Sequence, residues 1–112
     1  MNYRLEVFKK ASMCRNFELL TSNYINEGKI YVPTYVSTGQ EFISSSLSVI
    51  SKIKKIKPFL FGQHRCHSIY LAFGGKINLL IDELLGRDSG VNNGFSGSAS
   101  IGNSKINMFG HD

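Results

Sequence analysis

Apolar positions recur at helical spacing through the first part of the chain. From Tyr3 to about Asn26, Leu5, Phe8, Cys14, Phe17, Leu20 and Tyr24 return at intervals of three, four or six, with Lys9, Lys10, Arg15 and Glu18 between them. That pattern predicts an amphipathic helix of several turns, stopped at Glu27-Gly28-Lys29 by a glycine able to take a left-handed conformation. The next segment, IYVPTYVSTG, is β-branched and aromatic but interrupted by Pro33, so it reads as an extended loop or an edge strand. Gly39-Gln40-Glu41 opens a second helix whose stripe of Phe42, Ile43, Leu47, Ile50, Ile53 and Ile56 is expected to face the core, with serines and lysines opposite. Pro58 is expected to end it, because proline disfavours a helical residue before it.

Phe59 to Phe61 reads as a short buried strand, followed by a two-turn helix over Ile69 to Phe73 and another over Asn78 to Leu85. Gly74-Gly75 and Gly86 close these helices, with Arg87 beside the carbonyl end of the second. From Asp88 onward glycine, serine and asparagine dominate and no period survives. Composition alone allows a disordered tail there. Val91, Phe95, Ile101, Ile106, Met108 and Phe109 are spaced to anchor successive turns, which favours an ordered glycine-rich loop. The expectation is an α/β chain, mostly helical, with one short buried strand. The remaining strand candidates, Tyr31 to Tyr35 and Ala99 to Ile101, are weak partners for it, and the sequence stops at Phe109-Gly110-His111-Asp112 with no closing element. Both features point to a piece of a larger α/β protein.

At 112 residues the chain is at most one domain, here taken as 1–112. Apolar content of 42% and charged content of 19% are those of a globular chain, without the run of about 18 apolar residues that a membrane span needs. The N-terminus lacks the unbroken apolar stretch of a signal peptide, and Cys14 and Cys66 show no framework spacing, so reduced thiols in the cytoplasm are expected. Much of the +5 charge sits in KIKKIK, Lys52 to Lys57, which reads as a solvated helix face rather than a nucleic-acid site.

The chemistry concentrates in GQHRCHSIYLAFGG, Gly62 to Gly75, where His64, Arg65, Cys66 and His67 follow the strand. Ligands of open α/β sheets bind beyond the carboxyl ends of strands, so Arg65 there is placed for an anion such as a phosphate. The same residues can also merely cap a helix or face solvent. Cysteine and histidines on one local segment lack a second pair to complete a tetrahedral metal site, and neighbours on a helix point about 100° apart, which weighs against a Cys66–His67 nucleophile. No metal site is assigned.

The order of GQE (Gly39–Glu41), HRCH (His64–His67), DELLGRDSG (Asp82–Gly90) and GFSGSAS (Gly94–Ser100) resembles the alpha subunit of thiamine-diphosphate-dependent 2-oxo acid dehydrogenases, the pyruvate, branched-chain and acetoin dehydrogenase group. That family carries GQE, YRxH, an ELxGxxxG helix end and a GGSMH-like loop at comparable spacings, and the resemblance covers essentially the whole chain. It implies the N-terminal part of a thiamine-diphosphate-binding fold, with Arg65 and His64 as cofactor contacts and His67 as a catalytic histidine. It also implies oxidative decarboxylation of a 2-oxo acid, or acetoin cleavage, with the acyl group passed to a lipoyl-bearing acyltransferase. A beta subunit would complete a heterotetramer, and neither nucleic acid nor membrane is an expected partner. The family's magnesium-binding GDG segment and its later asparagine are not in this sequence, so a fragment inactive alone is expected. His64 stands where the family usually has tyrosine, Tyr35 where many members have histidine, and Ser100 where GGSMH has histidine, which marks a divergent branch. A non-catalytic basic binding module derived from the same fold is the alternative.

Overall fold

The computed structural model describes residues 2–110. Helix α1 runs over Tyr3–Asn26 and begins where the Asn2 side chain accepts the Leu5 N–H. It ends as the glycine signal predicts: Gly28 takes φ +72° and the Lys29 N–H turns back to the Tyr24 carbonyl. Only part of its apolar stripe goes inward. Cys14 and Phe17 are buried with Ala11, Glu18 and Thr21, whereas Leu5, Phe8 and Leu20 are exposed.

Helix α2, Glu41–Ile53, forms where the period places it, but the face turned inward is the opposite of the expected one. Its buried residues are Glu41, Ser44, Ser45, Ser48 and Val49, while Phe42, Ile43, Leu47, Ile50 and Ile53 are exposed, as is Ile56 beyond its end. At 100° per residue these form two separate arcs, so the helix is inverted as a whole. Serines are small enough to bring α2 close to α1 and α3; Ser48 donates to the Ala72 carbonyl at 2.7 Å, whereas the buried Ser45 Oγ has no hydrogen-bond partner among the described residues. Pro58 does not end the helix. Lys55, at φ +55°, makes the turn, with the Ile56 N–H returning to the Ser51 carbonyl.

The strand after Pro58 is shorter than expected and not alone. Strand β1, Leu60–Phe61, pairs in parallel with β2, Met108–Phe109, in the register Leu60 to Met108 and Phe61 to Phe109. Its partner therefore comes from the segment read as loop, and neither Tyr31 to Tyr35 nor Ala99 to Ile101 is a strand. Only one face of β1 is covered: Leu60 is buried, and Phe61 is exposed.

Helices α3, His67–Ala72, and α4, Ile77–Leu84, fall close to their expected places. Tyr70, Leu71, Leu80 and Leu84 from these helices meet Phe17, Leu60, Ile101 and Met108 in the apolar core. The glycine-rich segment is an ordered series of turns, closed by a single 3-10 turn at Ser104–Ile106 before β2. Ile101 and Met108 anchor it as expected, whereas Phe95 is almost fully exposed. The described residues thus form a mostly helical chain with a small parallel sheet. No helix among them is long and apolar enough to cross a membrane.

Candidate functional site

His67 opens α3 and is fully buried. Its Nδ1 lies 2.8 Å from Glu18 Oε1 and its Nε2 lies 2.8 Å from Ser98 Oγ. An ionised carboxylate can only accept, so with a neutral ring Nδ1 carries the proton and Nε2 accepts from the Ser98 hydroxyl. Ser98 Oγ in turn accepts the Tyr35 N–H at 3.1 Å. The other Glu18 oxygen takes both the backbone N–H and the hydroxyl of Ser37, and Ser37 Oγ then accepts from the Ser68 hydroxyl. The side chains that form this network, Glu18, Ser37, His67, Ser68 and Ser98, are all buried. They come from α1, the stretch around Tyr35 to Ser37, α3 and the glycine-rich loop, so the network ties four segments together.

A carboxylate, imidazole and hydroxyl joined in this order have the connectivity of a hydrolase relay. Here Ser98 is 1% exposed, so its oxygen has no access to a substrate carbonyl. The arrangement acts instead as a polar bolt. It fixes residues 35–37 in an extended course whose inward groups meet Ser98 and Glu18.

The outward side of that course carries the exposed chemistry. Arg65 Nη1 donates to the Val36 carbonyl at 2.8 Å, and the Tyr35 and His64 rings meet edge-on with centroids 4.9 Å apart. Arg65 and His64 are both exposed just beyond β1. Arg65, with five N–H donors, keeps others for a ligand. The four consecutive residues thus divide: His64 and Arg65 face solvent, and Cys66 and His67 face the interior.

Burial pushes the Cys66 and Cys14 thiols up to about 11, so both stay protonated at neutral pH and neither is an activated nucleophile. Among the described residues no three His, Cys, Asp or Glu side chains gather as a metal site. Ser100 is half-buried in the glycine-rich loop, two residues beyond the bolted Ser98.

A second buried carboxylate shapes that loop. Glu83 Oε1 accepts the N–H groups of Asn92 and Gly94, and Oε2 those of Ser96 and Gly97. Gly90 packs against the Glu83 backbone, where a Cβ would come within 2.6 Å of its Cα. Glu83 therefore sets the course of the loop that delivers Ser98 to His67. Sequence reasoning assigned no role to Glu18, Ser37, Glu83 or Ser98. For Glu18 a signal existed: Ala11, Cys14, Glu18 and Thr21 share one helical face, and a carboxylate inside such a stripe requires buried partners.

By sequence, the chain is distantly similar to a dehydrogenase component. Over 98 residues the chain is 28% identical to the mitochondrial pyruvate dehydrogenase E1 component subunit alpha of Saccharomyces cerevisiae, a match covering 87% of this chain and 22% of that protein. The chain thus spans about a fifth of that relative's length. No family model matches it.

Proposed function

We propose that this chain is part of a thiamine-diphosphate-dependent 2-oxo acid dehydrogenase alpha component, in which Arg65 and His64 contact the cofactor diphosphate. The observation that carries the reading is the exposed Arg65–His64 pair beyond the end of β1, held in place from beneath by the Glu18–His67–Ser98 bolt. The distant match to a pyruvate dehydrogenase alpha subunit supports the same class.

The residues fit the anionic end of the cofactor. Arg65 offers N–H groups to phosphate oxygens, and His64 adds a polar ring edge steadied by Tyr35. A magnesium ion would need ligands that these residues do not group. When bound, thiamine diphosphate supplies the electron sink for decarboxylating a 2-oxo acid, and the protein positions it and neutralises its phosphates. Transfer of the acyl group to a lipoyl-bearing acyltransferase and assembly with a beta subunit belong to the same proposal. His67 serves in this reading as a positioning residue: it orients Tyr35 and Ser37 through Ser98 and Glu18, and has no ring nitrogen left for a ligand.

Calorimetric titration with thiamine diphosphate, pyrophosphate and thiamine tests this. The first two are expected to bind and thiamine alone to fail. Arg65→Ala is expected to weaken both by at least about tenfold, the equivalent of one charge-assisted hydrogen bond. Unchanged affinity in the variant, or no binding of either diphosphate at millimolar concentration, contradicts the assignment. Equal affinity for pyrophosphate and thiamine diphosphate would favour a non-catalytic anion-binding module. The run from Phe42 to Ile81, which contains no Asp or Glu, is the observation that gives that second reading its footing.

A further inference from the structure

The KIKKIK stretch, Lys52 to Lys57, changes meaning in the structure. As sequence it reads as lysines in solvent backed by isoleucines in the core. In the fold Ile53 and Ile56 are 44% and 56% exposed, and Lys52, Lys54, Lys55 and Lys57 are exposed with them. Lys54, at the end of α2, follows Ile50 by four residues and shares its face of the helix. The apolar surface continues toward α1, where Tyr3, Val7, Phe42, Ile50 and Ile53 line a groove of about 420 Å³ together with Arg4. Among the described residues none of these five cations takes part in an ion pair. The chain supplies no Asp or Glu between Phe42 and Ile81 to neutralise them. Glu41 is held by Arg15, and Glu6 is not among the residues lining the groove.

Contiguous apolar surface set among unpaired cations calls for an occupant that is apolar and anionic at once. The groove beside β1 lacks this character, because no charged side chain lines it. A further layer of protein over the end of α2 would have to bury or pair four lysines within six residues, and lysine is rarely buried. A nucleic acid accommodates the lysines but gains little from isoleucine. An isologous contact with a second copy sets the same cationic cluster near itself. A bilayer with anionic headgroups meets both demands: isoleucine enters the acyl boundary while the long lysine side chains reach back to the phosphates. Clusters of about four to eight Lys or Arg on or beside an amphipathic helix are the sequence signature of such lipid recognition.

We infer that the C-terminal end of α2, with the lysine-rich turn after it, is a docking surface for an anionic phospholipid bilayer. The helix lies on the bilayer with Ile50, Ile53 and Ile56 in the interface and the lysines against the headgroups; no described helix is long and apolar enough to cross it. This inference does not depend on the cofactor reading, since neither Arg65 nor His64 belongs to the surface.

Co-sedimentation of the chain with vesicles tests it, using equal parts phosphatidylserine and phosphatidylcholine against phosphatidylcholine alone. Affinity for the anionic vesicles is expected to be at least about tenfold higher, and to fall as salt is raised. Two double variants separate the charged part from the apolar part. Lys54→Glu/Lys57→Glu and Ile53→Ser/Ile56→Ser are each expected to weaken binding by at least about tenfold while keeping circular dichroism, because all four side chains are already exposed. No binding, equal binding to the two vesicles, or binding that survives either variant would overturn the proposal. Tighter binding to a single-stranded oligonucleotide than to the anionic vesicles, lost with the lysines and kept without the isoleucines, would assign the surface to nucleic acid and overturn it. So would a dimer in sedimentation velocity that Ile53→Ser/Ile56→Ser dissolves, which would assign the isoleucines to a second copy.

Discussion

Glu83 is buried in α4 with its carboxylate turned into the glycine-rich loop, where four backbone N–H groups converge on two oxygens. Glutamine at this position would keep one acceptor oxygen and turn an NH2 group toward two of those donors. Glu83→Gln is therefore expected to cost about 2–4 kcal/mol of stability, the range for leaving buried donors unpaired near a formerly charged acceptor. Denaturant unfolding measures the loss. Hydrogen exchange should place it at the amides of Asn92, Gly94, Ser96 and Gly97 first. A loop unchanged in exchange would show that Glu83 does not hold it. At this scale the sequence was informative about identity and silent about pairing. Arg65 and His64 stood out as polar residues after a strand, and the structure leaves both at the surface. His67 stood out for the same reason, but its meaning depends on Glu18 and Ser98, which lie 49 and 31 positions away. Local spacing carries no information about such partners.

At the scale of elements, every predicted helix exists within a few residues of its expected limits, because helical period is a local property. Which face turns inward is not local. In α2 the apolar arc from Phe42 through Leu47 is the stripe that helical periodicity assigns to the core, yet Ser44, Ser45 and Ser48 lie inside. The small serine side chains allow close approach there, with Ser48 hydrogen-bonded to the Ala72 carbonyl and the buried Ser45 hydroxyl without a partner among the described residues. Glu41 fixes this orientation at the helix start, accepting from Arg15 Nε at 2.6 Å and from the Gly39 N–H at 2.9 Å. The guanidinium of Arg15 holds the Glu41 carboxyl below its usual value of 4.5. A lowered carboxylate stabilises the fold above the unfolded value and loses that contribution as pH falls through the folded one. Glu41→Gln is accordingly expected to cost about 0.5–1 kcal/mol at pH 7, a modest figure because Arg15 is half exposed, and the difference should fade as pH drops below 4.5. A difference that instead grows in acid would contradict the pairing. The strands were the least legible elements. β1 and β2 hold two residues each and are 48 positions apart in register, too short and too distant for any pattern to join them.

At the scale of the molecule, the described chain places a polar network in its interior and an apolar surface on one side. The network positions Tyr35, His64 and Arg65, and the surface includes the apolar and basic end of α2. The exposed apolar surface rests on one packing decision, the inward turn of the α2 serine face. Thiol labelling tests it directly, because Cys14 and Cys66 are buried with thiols held near 11 and give little background at neutral pH. With single cysteines introduced by Leu47→Cys and Ser48→Cys, position 47 is expected to react within about tenfold of an unstructured peptide thiol. Position 48 is expected to react at least about a hundredfold more slowly, as for a site that opens only in rare local unfolding. Rapid labelling at 48 with protection at 47 would mean that α2 buries its apolar stripe after all, and would contradict the account.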